Sequence, residues 1–473
     1  GPPPKPIPPP VPLNAQPLPP TPPTKPDEPI VYAARDVKLN GREKISDILV
    51  ADNTKTTADT VILIARIEVG DDFTAEMPER IRHDLVSSGL FKTVEVYYDK
   101  IPGKEDQVRV HLLVKDKWSW VIAPAFYNQP TNTGGGLGYG ENNLFGLNQK
   151  LLLYAQVATG DSFFVGAYQI PSIYGTRWSA QFDTYLANSR NIEYAPTQSF
   201  ADNPAPIRES RLIYLNGGAK LGFELWHALY LNARLRAAHV GYKEVHLSEG
   251  ATMDQVTKDP TATNVPAPGK EGWDISNEFD LSIDRRANWY GVQTGFRFGL
   301  SYEHNVFNSD FHYQEVGLGL FKAWQVLQRH NLVFKGNLQI GQDIPFQQEY
   351  LMGGTTMRGY LNNQFRGDLK ALVNVEYSLP LFELFGFGVR GLGFIDSGYT
   401  TWESTDSMGI PTNPERNYLN FAVKRGLDPF RNSVGVGTRL YLRQIVLPLL
   451  GLDFGYGLEV RDFQVYLAIG LTD

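Results

Sequence analysis

From Trp118 to the end of this 473-residue chain, strand-length segments recur in which every second residue is apolar, and that alternation constrains the fold more than any other feature. Leu332, Phe334, Leu338 and Ile340 alternate with Val333, Lys335, Asn337 and Gln339, and Ala371, Val373, Val375 and Tyr377 alternate with Lys370, Leu372, Asn374 and Glu376. The same holds for Leu231, Ala233 and Leu235 against Asn232, Arg234 and Arg236, and for Phe279, Leu281 and Ile283 against Glu278, Asp280 and Asp284. Period-two patterning gives a strand one apolar and one polar face. The polar faces carry charges of both signs, as a wet, salt-bridged lumen would, with acids of one strand placed to meet arginines of its neighbour. No run of about 18 apolar residues occurs, so the sequence offers no transmembrane helix. Barrel strands cross a membrane while hiding their hydrophobicity in alternate positions. The chain is therefore expected to be mainly β, with about 16 strands in an antiparallel transmembrane β-barrel.

Between two of these strands lie residues 348–368, QEYLMGGTTMRGYLNNQFRGD. This is too long for a hairpin turn, and long loops in compact domains are usually functional or unstructured. Its conspicuous charge is Arg358, followed by Gly359 and Tyr360. One strand further on comes Phe394-Ile395-Asp396-Ser397-Gly398. Alternation places Glu376 and Asp396 on inward faces, where either carboxylate could accept a bidentate guanidinium. A charge inside a barrel needs such a partner to offset its desolvation.

The chain before Trp118 is different. Residues 1–29 hold 15 prolines and cannot bury a core; as polyproline II they would reach on the order of 90 Å. Within 43–117, Ile45, Ile48 and Val50 suggest a strand, and Val61, Ile64 and Ile67 recur at helical spacing. A second helix over 78–88 ends at Gly89, and two strands follow, over 93–98 and 107–114. The expected division is a Pro-rich arm (1–42), a small α+β domain (43–117) and the barrel (118–473). With no cysteine there is no disulfide scaffold. A net charge of −7 gives no general case for nucleic-acid binding.

GGTTMRGY in the loop, together with Phe-x-Asp-x-Gly at 394–398, resembles the paired signatures of the BamA/TamA outer-membrane assembly superfamily. The strand–helix–helix–strand–strand order of 43–117, with Ser-Gly-Leu-Phe at 88–91, resembles a POTRA domain, and a single one. The resemblance implies that the loop folds into the barrel and that Arg358 meets acidic groups on the inner wall. It also implies a bacterial outer-membrane location, with the POTRA domain and arm in the periplasm. The implied activity is insertion of outer-membrane proteins or translocation of polypeptide, and the rival is a channel, a lipid or solute transporter, or a passive anchor. Partners would be outer-membrane lipids, unfolded barrel or secreted substrates, and a periplasmic partner of the POTRA domain and arm.

Closing one antiparallel meander requires the strand starting near Trp118 to pair with that at 462–471. Trp118, Trp120, Phe463, Tyr466 and Gly470 mark this seam. Proline and glycine near it (Pro124, 134–136, Gly470) should weaken its ladder. Most strands of this kind end on an aromatic, whereas this chain ends Leu471-Thr472-Asp473.

Enzymatic readings are weak. GGGLGYGENNLFG at 134–146 superficially resembles a phosphate loop, but a strand follows it where a phosphate site needs a helix. The eight histidines show no metal-ligand spacing, and His304, His312 and His330 read as solvated loop residues. No cofactor and no metal are expected.

Overall fold

The computed structural model describes residues 37–195, 204–289, 291–402, 430–442 and 448–469. The Pro-rich arm up to residue 36, residues 403–429 and Gly470 lie outside the described residues. The chain divides into two compact units. One holds the chain up to Trp120 with two barrel segments, Glu141–Leu151 and Ile170–Thr176, and the other holds the rest of the barrel.

The N-terminal module runs β1 (Lys44–Ala51), α1 (Ala58–Ala65), α2 (Met77–Ser87), β2 (Phe91–Ile101) and β3 (Lys104–Asp116). Its sheet has the order β1-β3-β2, with β1 parallel and β2 antiparallel to β3. Thr57 caps α1 by accepting from the Thr60 amide at 3.2 Å. Arg66, in left-handed conformation, ends α1 sooner than the apolar spacing suggests, and Ile67 is buried outside the helix. Gly89 follows α2 at φ +73°, the conformation that glycine adopts at low cost. Ile45, Val61, Ile81, Leu85, Val108 and Leu112 form a fully buried core, each side chain contributing about 1.5–3 kcal/mol by leaving water. This is the α+β organisation of one POTRA domain.

The barrel is an up-and-down meander of sixteen antiparallel staves. They are β4 (Trp120–Gln129), β5 (Asn132–Leu144), β6 (Gln149–Ala158), β7 (Asp161–Ile170), β8 (Trp178–Tyr194), β9 (Pro206–Trp226), β10 (Leu229–Leu247) and β11 (Gly272–Asp284). After β11 come β12 (Val292–Asn305), β13 (Gln314–Gln325), β14 (Asn331–Gln342), β15 (Leu369–Leu384), β16 (Phe387–Thr401), β17 (Arg431–Leu442), β18 (Pro448–Gly457) and β19 (Asp462–Ile469). β11 resumes briefly as Ala287–Trp289, still paired with β12. Among the described residues no helix is long and apolar enough to cross a membrane.

The alternation read from the sequence sorts the wall as expected. Leu231, Leu235, Phe279 and Leu300 are exposed on the outer face. Inside, Arg234 donates to Asp183 at 2.6 Å, Asn232 to Asp280 at 2.9 Å, and Arg236 to Glu303 at 2.6 Å. The glycines at 134–136 lie in β5, where their lack of side chains admits β6: a Cβ on Gly134 would fall 2.3 Å from the Val157 carbonyl oxygen. They sit one stave in from the seam.

Closure joins β19 to β4 through Leu467, Ala468 and Ile469 opposite Asn128, Tyr127 and Phe126. Those are three pairs among the described residues, where β18 and β19 share eight. Trp118 and Trp120 precede this register on the chain and stack on one another at 4.9 Å between ring centroids.

Candidate functional site: the loop inside the barrel

The connection from β14 to β15 folds back into the lumen. It forms a two-stranded ribbon, Tyr350–Met352 with Phe365–Gly367, and its tip carries Arg358, only 5% exposed. Three acids on three staves surround the guanidinium. Nε and Nη2 donate to the two oxygens of Asp396 at 3.0 Å each, Nη1 to Glu376 at 2.7 Å, and Nη1 also to Asp453 at 3.3 Å. The Arg358 backbone amide donates to Asp396 as well, at 3.1 Å. Asp453 is shared with Arg439, at 2.6 and 2.9 Å. The group is thus nearly charge-balanced, as burial demands.

The spacing of the second motif has a physical basis. Phe394, Asp396 and Gly398 are alternate residues of β16 and share its inner face. The Phe394 ring lies under the guanidinium, 3.4 Å from centroid to Cζ. Asp396 takes the fork. Gly398 leaves room for the loop, since a Cβ there would lie 2.2 Å from the Met352 sulfur and 2.6 Å from Met357 Cε. Met352, Met357, Tyr360 and Leu372 form the small apolar cluster that results.

Gly359 and Tyr360 fasten the tip to the last staves. Gly359 has φ +108°, and a Cβ on it would meet the β18 backbone at 2.6 Å, on the Gly457 nitrogen. Its amide donates to the Tyr466 hydroxyl at 3.0 Å, and that hydroxyl donates to the Tyr360 carbonyl at 2.9 Å. The Tyr360 hydroxyl, buried, bonds the Glu459 carboxylate and the Asn432 carbonyl. Tyr466 therefore ties the loop tip to β19, the stave that closes the barrel.

Of the residues singled out from the sequence, the structure brings together Arg358, Gly359, Tyr360, Glu376, Asp396, Gly398 and Tyr466. Phe463 is half exposed on the outer face and stacks on Phe454 at 5.8 Å, away from the loop. Trp118 and Trp120 have no part in the described seam register, which uses Phe126, Tyr127 and Asn128. Sequence reasoning missed Asp453, and it named Phe394 in the motif and Asn374 on the polar face without giving them a role; the Asn374 amide donates to Asp396 at 2.7 Å. All three obey the inward parity of their staves.

A second polar network, also missed, lies under the stem of the loop. Arg236 donates to Glu303, to Ser276 at 3.0 Å and to the Tyr313 hydroxyl at 2.7 Å. Tyr313 and Gln347 both donate to Asp274, at 2.9 and 3.2 Å. Val240, Tyr242, Phe311, Ile344 and Phe346 pack beside it. Fully buried Arg208 pairs with Glu193 at 2.8 Å and donates to the Pro266 carbonyl at 2.8 Å, holding the long loop at 248–271. Of the histidines, His330 bonds the Tyr377 hydroxyl at 2.6 Å, and His304 stacks on Phe279. Among the described residues no cluster of three metal-ligating side chains occurs.

Residues 143–469 match the model of the Omp85 superfamily domain. Solved structures with the same fold include BamA from Haemophilus ducreyi lacking POTRA domains 1–3, at 16% identity and TM-score 0.61, with 91% of this chain and 85% of that one covered. CdiB from Acinetobacter baumannii gives 12% and 0.64, covering 91% and 74%. CdiB from Escherichia coli gives 12% and 0.61, covering 91% and 77%. At such identities the likeness is one of fold, whereas the family match spans more than half of the sequence and includes both the Arg358 loop and its acidic receptors: the chain belongs to the Omp85 superfamily of outer-membrane β-barrels.

Proposed function

We propose that this barrel assists the insertion of outer-membrane proteins, or the passage of polypeptide across the outer membrane, by opening between β4 and β19, with the N-terminal module in the periplasm. The observation that supports the reading is that the barrel closes by its two terminal staves, with Leu467, Ala468 and Ile469 of β19 opposite Asn128, Tyr127 and Phe126 of β4. In lipid, an unpaired backbone group costs several kcal/mol, so a barrel normally keeps every edge closed. The junction of the first and last staves is the one place where an edge can be exposed without breaking a hairpin. Once exposed, its N–H and C=O groups would template an incoming strand by β-augmentation.

The Arg358 loop suits this role as an internal brace. It holds Asp396 of β16, Asp453 of β18 and Tyr466 of β19 to one rigid tip. The last staves thus keep their places while the β4 edge swings away. The folded-in loop also argues against a wide-open pore. No enzymatic step is assigned to the barrel.

The test is reconstitution. Purified protein in liposomes should accelerate the folding of urea-unfolded outer-membrane barrels over protein-free liposomes. Ion conductance without any such acceleration would favour the channel reading instead.

A further inference from the structure

The lumen is approached from its other end as well. Connections of an up-and-down meander alternate between ends, so the β11–β12 turn lies opposite the Arg358 loop, at the end where β4 begins. At Gly295 this hairpin kinks: φ is +88°, and a Cβ there would fall 2.0 Å from the Arg285 carbonyl oxygen, which only glycine avoids. Beyond the kink the chain leaves the wall. The Gln293 amide donates to the Asn331 side-chain oxygen at 2.9 Å, and Asn331 Nδ2 donates back to the Gln293 carbonyl at 2.7 Å. Asn331 belongs to β14, two staves from β12, and is 2% exposed.

Two residues nearer the turn, Gly291 reaches the far wall. A Cβ on it would lie 2.7 Å from Arg390 Cδ and 2.9 Å from the Tyr441 ring. These side chains stand on β16 and β17, four and five staves round from β12. Arg390 is itself fixed, donating to the Arg329 carbonyl at 2.8 Å and to the Ser378 hydroxyl at 2.9 Å. Residues 291–295 therefore cross the bore. Between them and the loop tip lies a cavity of about 680 Å³, with Thr356 and Arg358 on one side and Gly291 and Gln293 on the other.

We propose that residues 291–295 are a second stopper of the lumen, in series with the Arg358 loop and released by straightening at Gly295 and unclasping from Asn331. Each contributes to the lining of the chamber, one from either end. The claim concerns passage along the bore, so it stands whether or not the barrel inserts proteins.

Two barriers in series make a distinctive prediction for ion conductance in planar bilayers. Gly295→Val with Asn331→Ala retracts the hairpin, and Arg358→Ala frees the loop. Either set alone leaves conductance close to that of the wild type, because the other barrier remains. All three together raise it several-fold. Heat-modifiable migration on gels establishes that each variant is a folded barrel. The proposal is overturned if Arg358→Ala alone conducts as well as the triple variant, since the hairpin then adds no barrier. A folded triple variant that conducts no better than the wild type overturns it equally.

Discussion

Arg358 offers Nε and Nη2 to the two oxygens of Asp396 at 3.0 Å each, and its own backbone amide to the same carboxylate at 3.1 Å. One acid thus fixes the side chain and the main chain of the loop tip together, and a positive charge without the planar fork cannot reproduce this. Arg358→Lys should keep the charge balance but lose the paired bonds and the stacking on Phe394. Arg358→Ala should leave buried Asp396 without its cation and Glu376 without its partner, while Asp453 keeps Arg439, a penalty of about 3–5 kcal/mol of the kind seen when a buried pair is broken. Limited proteolysis of the loop should therefore rank the alanine variant fastest, lysine next and wild type slowest. Equal cleavage of all three would refute the brace.

Two glycines make room for the tip in different ways, and that sets an order between them. Gly398 faces flexible methionine ends, Met352 and Met357, while Gly359 faces the backbone of β18 at positive φ. Gly359→Ala should disturb the loop more than Gly398→Ala, since methionine can turn aside and a ladder strand cannot. Thermal unfolding of the two variants in detergent checks the order. A lower transition for Gly398→Ala would reverse it.

Tyr466→Phe deletes one hydroxyl that accepts from Gly359 and donates to Tyr360. The two bonds are worth about 1–3 kcal/mol together. The barrel should fold normally, while the loop tip loosens from β19. Cysteine accessibility at Met357→Cys, a buried position at the loop tip that makes no bond to Tyr466, should rise in this variant. Unchanged labelling would show that Tyr466 does not hold the tip.

In the N-terminal module, Asp116 accepts from the Thr54 amide at 2.7 Å, from the Lys55 amide at 2.8 Å and from the Thr56 hydroxyl. Burial alone would raise its pKa, but the bonds from Thr56, Lys55 and Thr54 outweigh it and hold the carboxyl below its usual value. A depressed folded-state pKa gives stability that is present above the unfolded value, near 3.9, and lost as pH falls through the folded one. Stability should therefore drop in the acid range, and Asp116→Asn should flatten that part of the profile. A variant whose acid limb matches the wild type would rule this contribution out.

What was legible in the sequence follows from what is local. Period-two alternation revealed the barrel, its lumen side and the inward carboxylates Glu376 and Asp396, because parity along a strand needs no knowledge of its neighbours. Asp453 has the same inward parity, yet it lies 95 residues from Arg358 and meets it only because the barrel closes. The Arg236 network is hidden for the same reason, since its members come from β10, β11, β12, the β12–β13 connection and the stem of the Arg358 loop. Helix α1 read too long because Ile67 keeps the helical spacing while Arg66 has already turned left-handed. Closure between the first and last staves was legible because a meander must join its ends, but the described register uses Phe126, Tyr127 and Asn128, beyond Trp118 and Trp120.

The central claim is that the β4–β19 seam must open, and Tyr127 and Ala468 face one another across it. Antiparallel partners lie about 4.5–5.5 Å apart at Cα, within the reach of a disulfide, and the chain has no other cysteine to compete. Protein carrying Tyr127→Cys and Ala468→Cys is reconstituted in liposomes, and the folding of a urea-unfolded barrel is followed in oxidised and reduced samples. Acceleration should vanish on oxidation and return on reduction. Oxidised, fully cross-linked protein that speeds folding as well as the reduced form would contradict the account.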